Sequence, residues 1–261
     1  MIKSILFKNA NISFSDEGKG AAVVFIHGFL ENSTMWKNII PAFVNNNRII
    51  TVDILGHGKT DCLGYVHSME LFAEAIEAVL QHLKIKKYIL VGHSLGGYIS
   101  MALAKNNPNK IKGLCLLNST SNADSEELKI RRIRANKMAQ NNFENLIKMS
   151  FSNLFSLESR TTFKEEIKLA LQEALKTPVQ GYIAASEGMR IRPNRNHILS
   201  ENNFKKLIIV GEKDPVLDAE TAKEEAIQTN AELVVLSGGH MSHIENSQEL
   251  IDVLKEFLKS C

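Results

Sequence analysis

The string Gly92-His93-Ser94-Leu95-Gly96 sets a serine between two glycines in the pattern G-x-S-x-G. A β-branched apolar run at 88–91 precedes it, and a helical pattern opens at Leu95. A sharp strand-to-helix turn can lift Ser94 above a sheet edge only where its neighbours are small, which Gly92 and Gly96 supply. The start of the next helix also aims unpaired backbone N–H groups, that of Leu95 among them, at developing negative charge. A serine hydroxyl at its ordinary pKa is a weak nucleophile. It needs an imidazole base, and the base needs an orienting carboxylate. In a strand–turn–helix site the partners follow downstream, acid first and histidine second. Asp214, in Val210-Gly211-Glu212-Lys213-Asp214-Pro215, follows the apolar run 207–210. His240, in Ser237-Gly238-Gly239-His240, follows the run 233–236. Both fall at the carboxyl ends of strand-like runs, where open α/β sheets place ligands. The chemistry available to this set is acyl transfer.

Each partner has a rival nearby. His243 lies three residues after His240, and a helical turn can present either. Asp218 reads better as the cap of a helix continuing through Ala226 than as the acid. His27 and His57 sit in glycine-containing loops and read as loop-fixing residues, while His67, His82 and His197 carry no pattern. Other motifs fail on spacing. Gly58-Lys59-Thr60 lacks the earlier glycine of a phosphate-binding loop, because position 53 is Asp53. Gly56-x-Gly58 lacks the third glycine of a dinucleotide fingerprint, because position 61 is Asp61. His240-x-x-His243 has no third metal ligand in recognisable spacing. The expectation is therefore no metal and no cofactor.

The elements that must position these residues alternate. Apolar runs at 23–27, 48–54, 88–91, 113–117, 206–210 and 233–236 suit strands covered on both faces of a parallel sheet. Ile5 to Phe14 alternates apolar and polar residues, as an antiparallel edge hairpin would. Ser68 can cap a helix with Leu71, Phe72, Ala75, Ile76, Val79, Leu80 and Leu83 on one face. A second helix runs over 95–107 and stops at Pro108. Ser247 can cap the last, with Leu250, Ile251, Leu254, Phe257 and Leu258 inward. The rhythm breaks between about Asn118 and Asn203. There Asp124 and Glu127 make a capping-box-like start, helical patterns follow through Lys176, and Pro178 opens another that ends near Pro193. The reading is an α/β fold with a mostly parallel central sheet flanked by helices: a core of residues 1–118 and 203–261, with an all-helical cap inserted at 119–202.

Composition fits this picture. The 261 residues are 44% hydrophobic and 23% charged, as in ordinary globular chains, which excludes a disordered or collagen-like protein. The formal charge of +2 gives no global argument for nucleic acid or for an acidic membrane surface. Cys62, Cys115 and Cys261 form no disulfide framework and suggest a reducing compartment. Residues 1–7 lead at once into Lys8 and Asn9, without the apolar core of a signal peptide, and no run reaches the ~18–20 apolar residues of a membrane helix. The expectation is a cytoplasmic protein that acts on a small molecule, with no nucleic-acid or membrane partner and its oligomeric state open.

The chain resembles the α/β-hydrolase superfamily over nearly its whole length. The resemblance rests on Val23-Val24-Phe25-Ile26-His27-Gly28-Phe29, Asp53-Ile54-Leu55-Gly56-His57-Gly58-Lys59-Thr60, Gly92 to Gly97, Gly211-Glu212-Lys213-Asp214-Pro215 and Gly239-His240. It implies the α/β-hydrolase fold with a helical cap after the sixth strand, which matches the break near Asn118. It assigns the oxyanion-hole amides to Phe29 and Leu95, and it puts the base directly after a glycine, favouring His240 over His243. Thr60 departs from the serine common at the end of its turn. Ser94 disfavours the aspartate-nucleophile dehalogenase and epoxide-hydrolase branches, and Leu95 disfavours the prolyl-aminopeptidase branch. Tyr98 stands where the menaquinone-pathway synthase branch has an arginine.

The leading expectation is a serine hydrolase of the carboxylic-ester type, with Ser94, Asp214 and His240 catalytic, cleaving a small or medium ester, lactone or thioester through an acyl-enzyme. The alternatives are a synthase-like lyase or carbon–carbon-bond hydrolase on the same residues, and a ligand-binding receptor on a hydrolase scaffold. Two basic features have open roles. The stretch Lys129 to Arg134, with Arg131 and Arg132, reads either as a clamp for an anionic group or as a solvated helix face with Ile130 and Ile133 packed inward; the pattern favours the second. Arg190 and Arg192 either face the pocket or fix the return to the sheet.

Overall fold

In a computed structural model, which describes residues 2–261, each β-branched run becomes a strand. The strands are β1 (Ile2–Phe7), β2 (Ala10–Gly18), β3 (Ala21–Ile26), β4 (Asn47–Val52), β5 (Tyr88–His93), β6 (Ile111–Leu117), β7 (Lys205–Gly211) and β8 (Glu232–Leu236). Among the described residues they form one sheet in the order β1-β2-β4-β3-β5-β6-β7-β8. The β1–β2 and β2–β4 pairs are antiparallel and the remaining pairs parallel, so the alternating start of the chain is an edge hairpin. The continuous apolar runs are explained by burial on both faces. Val24 and Ile26 of β3 enter one core cluster, while Val23 and Phe25 enter the other.

Ten helices complete the described chain: α1 (Met69–His82), α2 (Leu95–Asn106), α3 (Glu126–Ser150), α4 (Ser159–Thr162), α5 (Lys164–Ala174), α6 (Val179–Arg190), α7 (Asn196–Glu201), α8 (Ala219–Thr229), α9 (Ser242–Glu245) and α10 (Ser247–Ser260). Helices α1, α2 and α8 pack on one sheet face, α10 on the other. Helices α3 to α7 fill the interval where the strand rhythm breaks. They build a third apolar cluster around Ala139, Ile147, Phe151 and Tyr182, which Leu30 and Met241 join from the sheet-edge loops. Among the described residues no helix is long and apolar enough to cross a membrane.

Ser68 caps α1 as its sequence suggests, its side chain accepting from the Leu71 amide at 3.1 Å. Three local readings are corrected. Ser247 is the first residue of α10 rather than its cap; Asn246 holds the cap position, and its side-chain oxygen accepts from the Gly238 amide, tying the helix start to the loop after β8. Ser125, not Asp124, caps α3 through the Leu128 amide at 3.2 Å, because Asp124 is drawn inside by two arginines. Ile130 and Ile133 do not pack inward: they are 49% and 40% exposed. Helix α3 lies over a cavity rather than on the sheet, and the residues it turns inward include Arg132, Asn136 and Ala139.

Candidate active site

The turn between β5 and α2 holds Ser94 at φ 49°, ψ −114°, a conformation that costs a non-glycine residue roughly 1–3 kcal/mol. The sheet and its neighbours impose it. The Ser94 amide donates to the Leu117 carbonyl at 2.9 Å, and the Ser119 hydroxyl donates to the Ser94 carbonyl at 2.7 Å. A side chain at Gly92 would collide with the backbone of Gly96 and Gly97, and one at Gly96 with the end of β3, so glycine is needed at both positions.

The loops after β7 and β8 bring the two downstream residues to this hydroxyl. His240 Nε2 lies 3.0 Å from Ser94 Oγ, and His240 Nδ1 lies 2.8 Å from Asp214 Oδ2 and 3.0 Å from Oδ1. With Nδ1–H donating to the carboxylate, Nε2 is left to accept from the serine. The imidazole is 4% exposed. Its main-chain amide donates to the Leu154 carbonyl at 2.9 Å, so the helical insertion helps to hold it. Asp214 Oδ1 accepts from the Val216 and Leu217 amides at 2.8 and 3.0 Å, and Oδ2 from Asn118 Nδ2 at 3.0 Å. Burial alone would raise the Asp214 pKa, but His240 and these donors hold the carboxyl below the ordinary aspartate value.

Phe29 lines the same cavity as Ser94, and Leu95 follows Ser94 at the start of α2, so the amides of both bear on the site. That of Phe29 has no acceptor among the described residues. That of Leu95 opens α2, where no intrahelical acceptor exists. The rival residues lie elsewhere. His243 is buried with its ring centroid 5.4 Å from that of His93, and its Nε2 is 3.8 Å from Glu31. Asp218 caps α8 through the Thr221 amide at 2.9 Å. His27 accepts from the Ile54 amide at 3.0 Å, and His57 stacks beside His27 and Phe29, so both brace loops. Thr60 has a structural use: its hydroxyl donates to the Asp53 carbonyl and accepts from the Ser13 amide.

A cavity of about 520 Å³ opens above Ser94 and His240, lined also by Phe29, Tyr182, Met189 and Leu217. Arg132 and Arg192 line it from the insertion. Both guanidiniums grip the side chain of Asp124, which is wholly buried, and Arg192 lies 3.7 Å above the Tyr98 ring. Arg131 and Arg190 do not share this position; they pair with Glu127 and Glu187 on their own helices. Sequence reasoning missed Asn118, Asp124 and Glu31. Their partners stand 96, 68 and 62 residues away, and only the break at Asn118 left any signal. Glu31, His93 and His243 are also the one described cluster of potential metal-ligating atoms, all within 4.8 Å of one another.

Comparison with known proteins adds the family. The profile described as alpha/beta hydrolase fold matches residues 21–247. The solved esterase from Thermogutta terrifontis, in a malate-bound form, superposes with a TM-score of 0.93 at 26% identity, covering 100% of this chain and 98% of that one. The 3-oxoadipate enol-lactonase 1 of Acinetobacter baylyi is 24% identical over 262 residues, 100% of this chain and 97% of its own. An uncharacterized Mycobacterium tuberculosis protein is 33% identical over 107 residues, which is 41% of this chain and 31% of that protein. The match thus spans less than a third of that relative's length.

Proposed function

From the premise that the chain belongs to the α/β-hydrolase family, we propose that it is a serine hydrolase cleaving small or medium carboxylic esters, thioesters or lactones through an acyl-enzyme. The observation that carries this reading is the unbroken line of contacts from Ser94 Oγ through His240 to Asp214, beside two amides without acceptors. His240 takes the Ser94 proton as Oγ attacks the substrate carbonyl carbon. The Phe29 and Leu95 amides receive the oxyanion, a contribution of roughly 100- to 1000-fold per donor. His240 then passes its proton to the leaving alkoxide. A water molecule, deprotonated by the same imidazole, releases the acid and restores Ser94. Asp214 keeps Nδ1 protonated throughout, so Nε2 always faces the reacting atoms.

Residues 119–202 serve as the cap over a core of 1–118 and 203–261. The cavity beneath them is mostly apolar near Phe29 and Met189, which suits an acyl chain, while Arg132 and Arg192 offer N–H donors to a polar end of the substrate. Full-length similarity to an enol-lactonase supports the cyclic ester as a second reading of the same chemistry, in which the leaving alkoxide stays tethered to the acyl group. Three free thiols support a reducing, cytoplasmic setting.

The test is hydrolysis of short-chain nitrophenyl esters and of γ-lactones by the wild type, Ser94→Ala and His240→Ala, with covalent labelling by a fluorophosphonate. The wild type turns over and labels at Ser94, and both variants lose at least about a thousandfold. Equal turnover by all three would overturn the mechanism. A folded wild type that binds ligands but neither labels nor turns over is instead a receptor.

A further inference from the structure

Beneath the triad lies a second charged pair that the mechanism above does not use. His93 precedes Ser94 and is 1% exposed. Its Nε2 is 2.9 Å from the His240 carbonyl oxygen, and its Nδ1 is 2.7 Å from Glu31 Oε2. A peptide carbonyl only accepts, and so does an ionised carboxylate. Both ring nitrogens therefore face acceptors, and the pair can be satisfied only if two protons are shared between imidazole and carboxyl. Glu31 Oε2 already receives the Gly28 amide at 2.6 Å, and Glu31 Oε1 has the His243 ring 3.8 Å away. Two donors converge on Oε2, the Gly28 amide and the His93 ring, and favour the ionised carboxylate, which leaves both protons on His93.

The surroundings agree. Burial opposes a charge on Glu31, but the charge and hydrogen bond of His93 draw its pKa down to about 2. Burial likewise opposes a cation at His93, yet Glu31, the His240 carbonyl and Asp214 raise it above an ordinary histidine. Burial holds His243 at about 4, so it stays neutral beside them. The 2.7 Å separation is that of a hydrogen bond. Two donors to one zinc ion, each about 2.0–2.1 Å from it in a tetrahedral site, stand about 3.3 Å apart, so the gap holds a proton rather than a metal.

The pair joins three segments distant in sequence. Glu31 grips the Gly28 amide, one residue before the Phe29 donor; His93 is continuous with Ser94; and His93 also holds the main chain of His240. We propose that Glu31 and His93 are positioning residues, a buried carboxylate–imidazolium pair that keeps the oxyanion loop and the His240 backbone in register with the Ser94 hydroxyl. The proposal rests on the reading of Ser94 as nucleophile for its kinetic part only.

The experiment has a spectroscopic and a kinetic arm. NMR of isotope-labelled histidine in the wild type and in Ser94→Ala, at a pH just above the ordinary histidine midpoint of about 6.5, shows His93 with both nitrogens protonated. In Glu31→Gln this signature reverts to a neutral ring. Glu31→Gln also lowers kcat by about 30- to 100-fold with KM within about twofold, the scale of an ångström-sized misplacement of reacting groups. A tetrahedral mimic such as a boronic acid loses affinity in parallel. A neutral His93 at that pH, a stoichiometric metal found by elemental analysis, or wild-type kcat in Glu31→Gln would each overturn the proposal. If esters are not substrates at all, the NMR arm still decides the pair.

Discussion

Replacing Asp214 by asparagine tests the site most sharply, because the hydrogen bonds around that carboxylate dictate which way an amide must turn. Two backbone amides, those of Val216 and Leu217, converge on the Oδ1 position, so the asparagine oxygen is forced there. Its NH2 then occupies the Oδ2 position, 2.8 Å from His240 Nδ1 and 3.0 Å from the Asn118 amide nitrogen. A donor now faces Nδ1 at the nearer 2.8 Å position, with the oxygen at 3.0 Å already taken by two amides, so the ring favours its proton on Nε2 and then cannot accept from Ser94. Asn118 cannot rescue the arrangement by flipping, because its NH2 also donates to the Gly239 carbonyl at 3.2 Å. Loss of the correct tautomer costs about ten-thousandfold in kcat, or about 5 kcal/mol of barrier, while the fold loses only about 1 kcal/mol. Asn118→Ala removes one hydrogen bond to the carboxylate and lowers kcat by roughly tenfold. Nitrophenyl-ester kinetics beside thermal melts measure both quantities. A folded Asp214→Asn enzyme within tenfold of wild-type kcat would refute the claim that Nδ1–H orients the base.

Other outcomes follow from the same structure. Ser94→Gly and Ser94→Ala are both inactive, but the glycine variant unfolds at higher urea by about 1 kcal/mol, since relief of the positive φ outweighs the entropy of glycine; equal midpoints would contradict the strain. Asp124→Asn leaves two guanidiniums without their buried counter-charge and costs about 3 kcal/mol by urea denaturation, with no such loss in Glu127→Gln on the exposed face. Burial holds His57 at about 3 and His67 and His243 at about 4, so the unfolded chain takes up protons below about pH 6.5 that these folded rings refuse. Their stabilisation is complete above that pH and is lost as it falls toward 4, whereas His93, raised by Glu31, works in the opposite sense. The net expectation is a loss on the order of 3 kcal/mol between about pH 8 and pH 5, read as a falling urea midpoint; a flat profile would mean the rings are charged in the fold.

What the sequence made legible was local. Apolar runs such as 88–91 become strands because burial on both faces admits few other residues, and a helix cap such as Ser68 acts across only three residues. Ser94, Asp214 and His240 stand out in the sequence because each sits just beyond a strand-like run in a fixed chain order, and the structure brings the three side chains into contact. The rest depended on distance. The near neighbours of Asp124 suggest a cap, yet Arg132 and Arg192, 8 and 68 residues on, outcompete a local amide once the carboxylate is buried. Hydrophobicity alone places Ile130 and Ile133 inward, but α3 turns Arg132, Asn136 and Ala139 inward instead, and no pattern within α3 reports what lies beneath it.

That same burial argues against treating the insertion as a loose lid. The main chain of His240 is held from above by the Leu154 carbonyl and from below by His93, one contact from the insertion and one from the sheet edge. Asp124 joins α3 to the segment after α6 through Arg132 and Arg192, beside Tyr98 of α2. Swinging the whole insertion outward would strip the His240 amide of its acceptor and expose a carboxylate that two arginines now cover. The first loss is on the order of 1 kcal/mol, the net worth of one hydrogen bond exchanged for water. Movement of α3 to α7 as one body breaks these contacts, whereas Val216 and Leu217, which line the cavity and are only partly covered, can shift without breaking them.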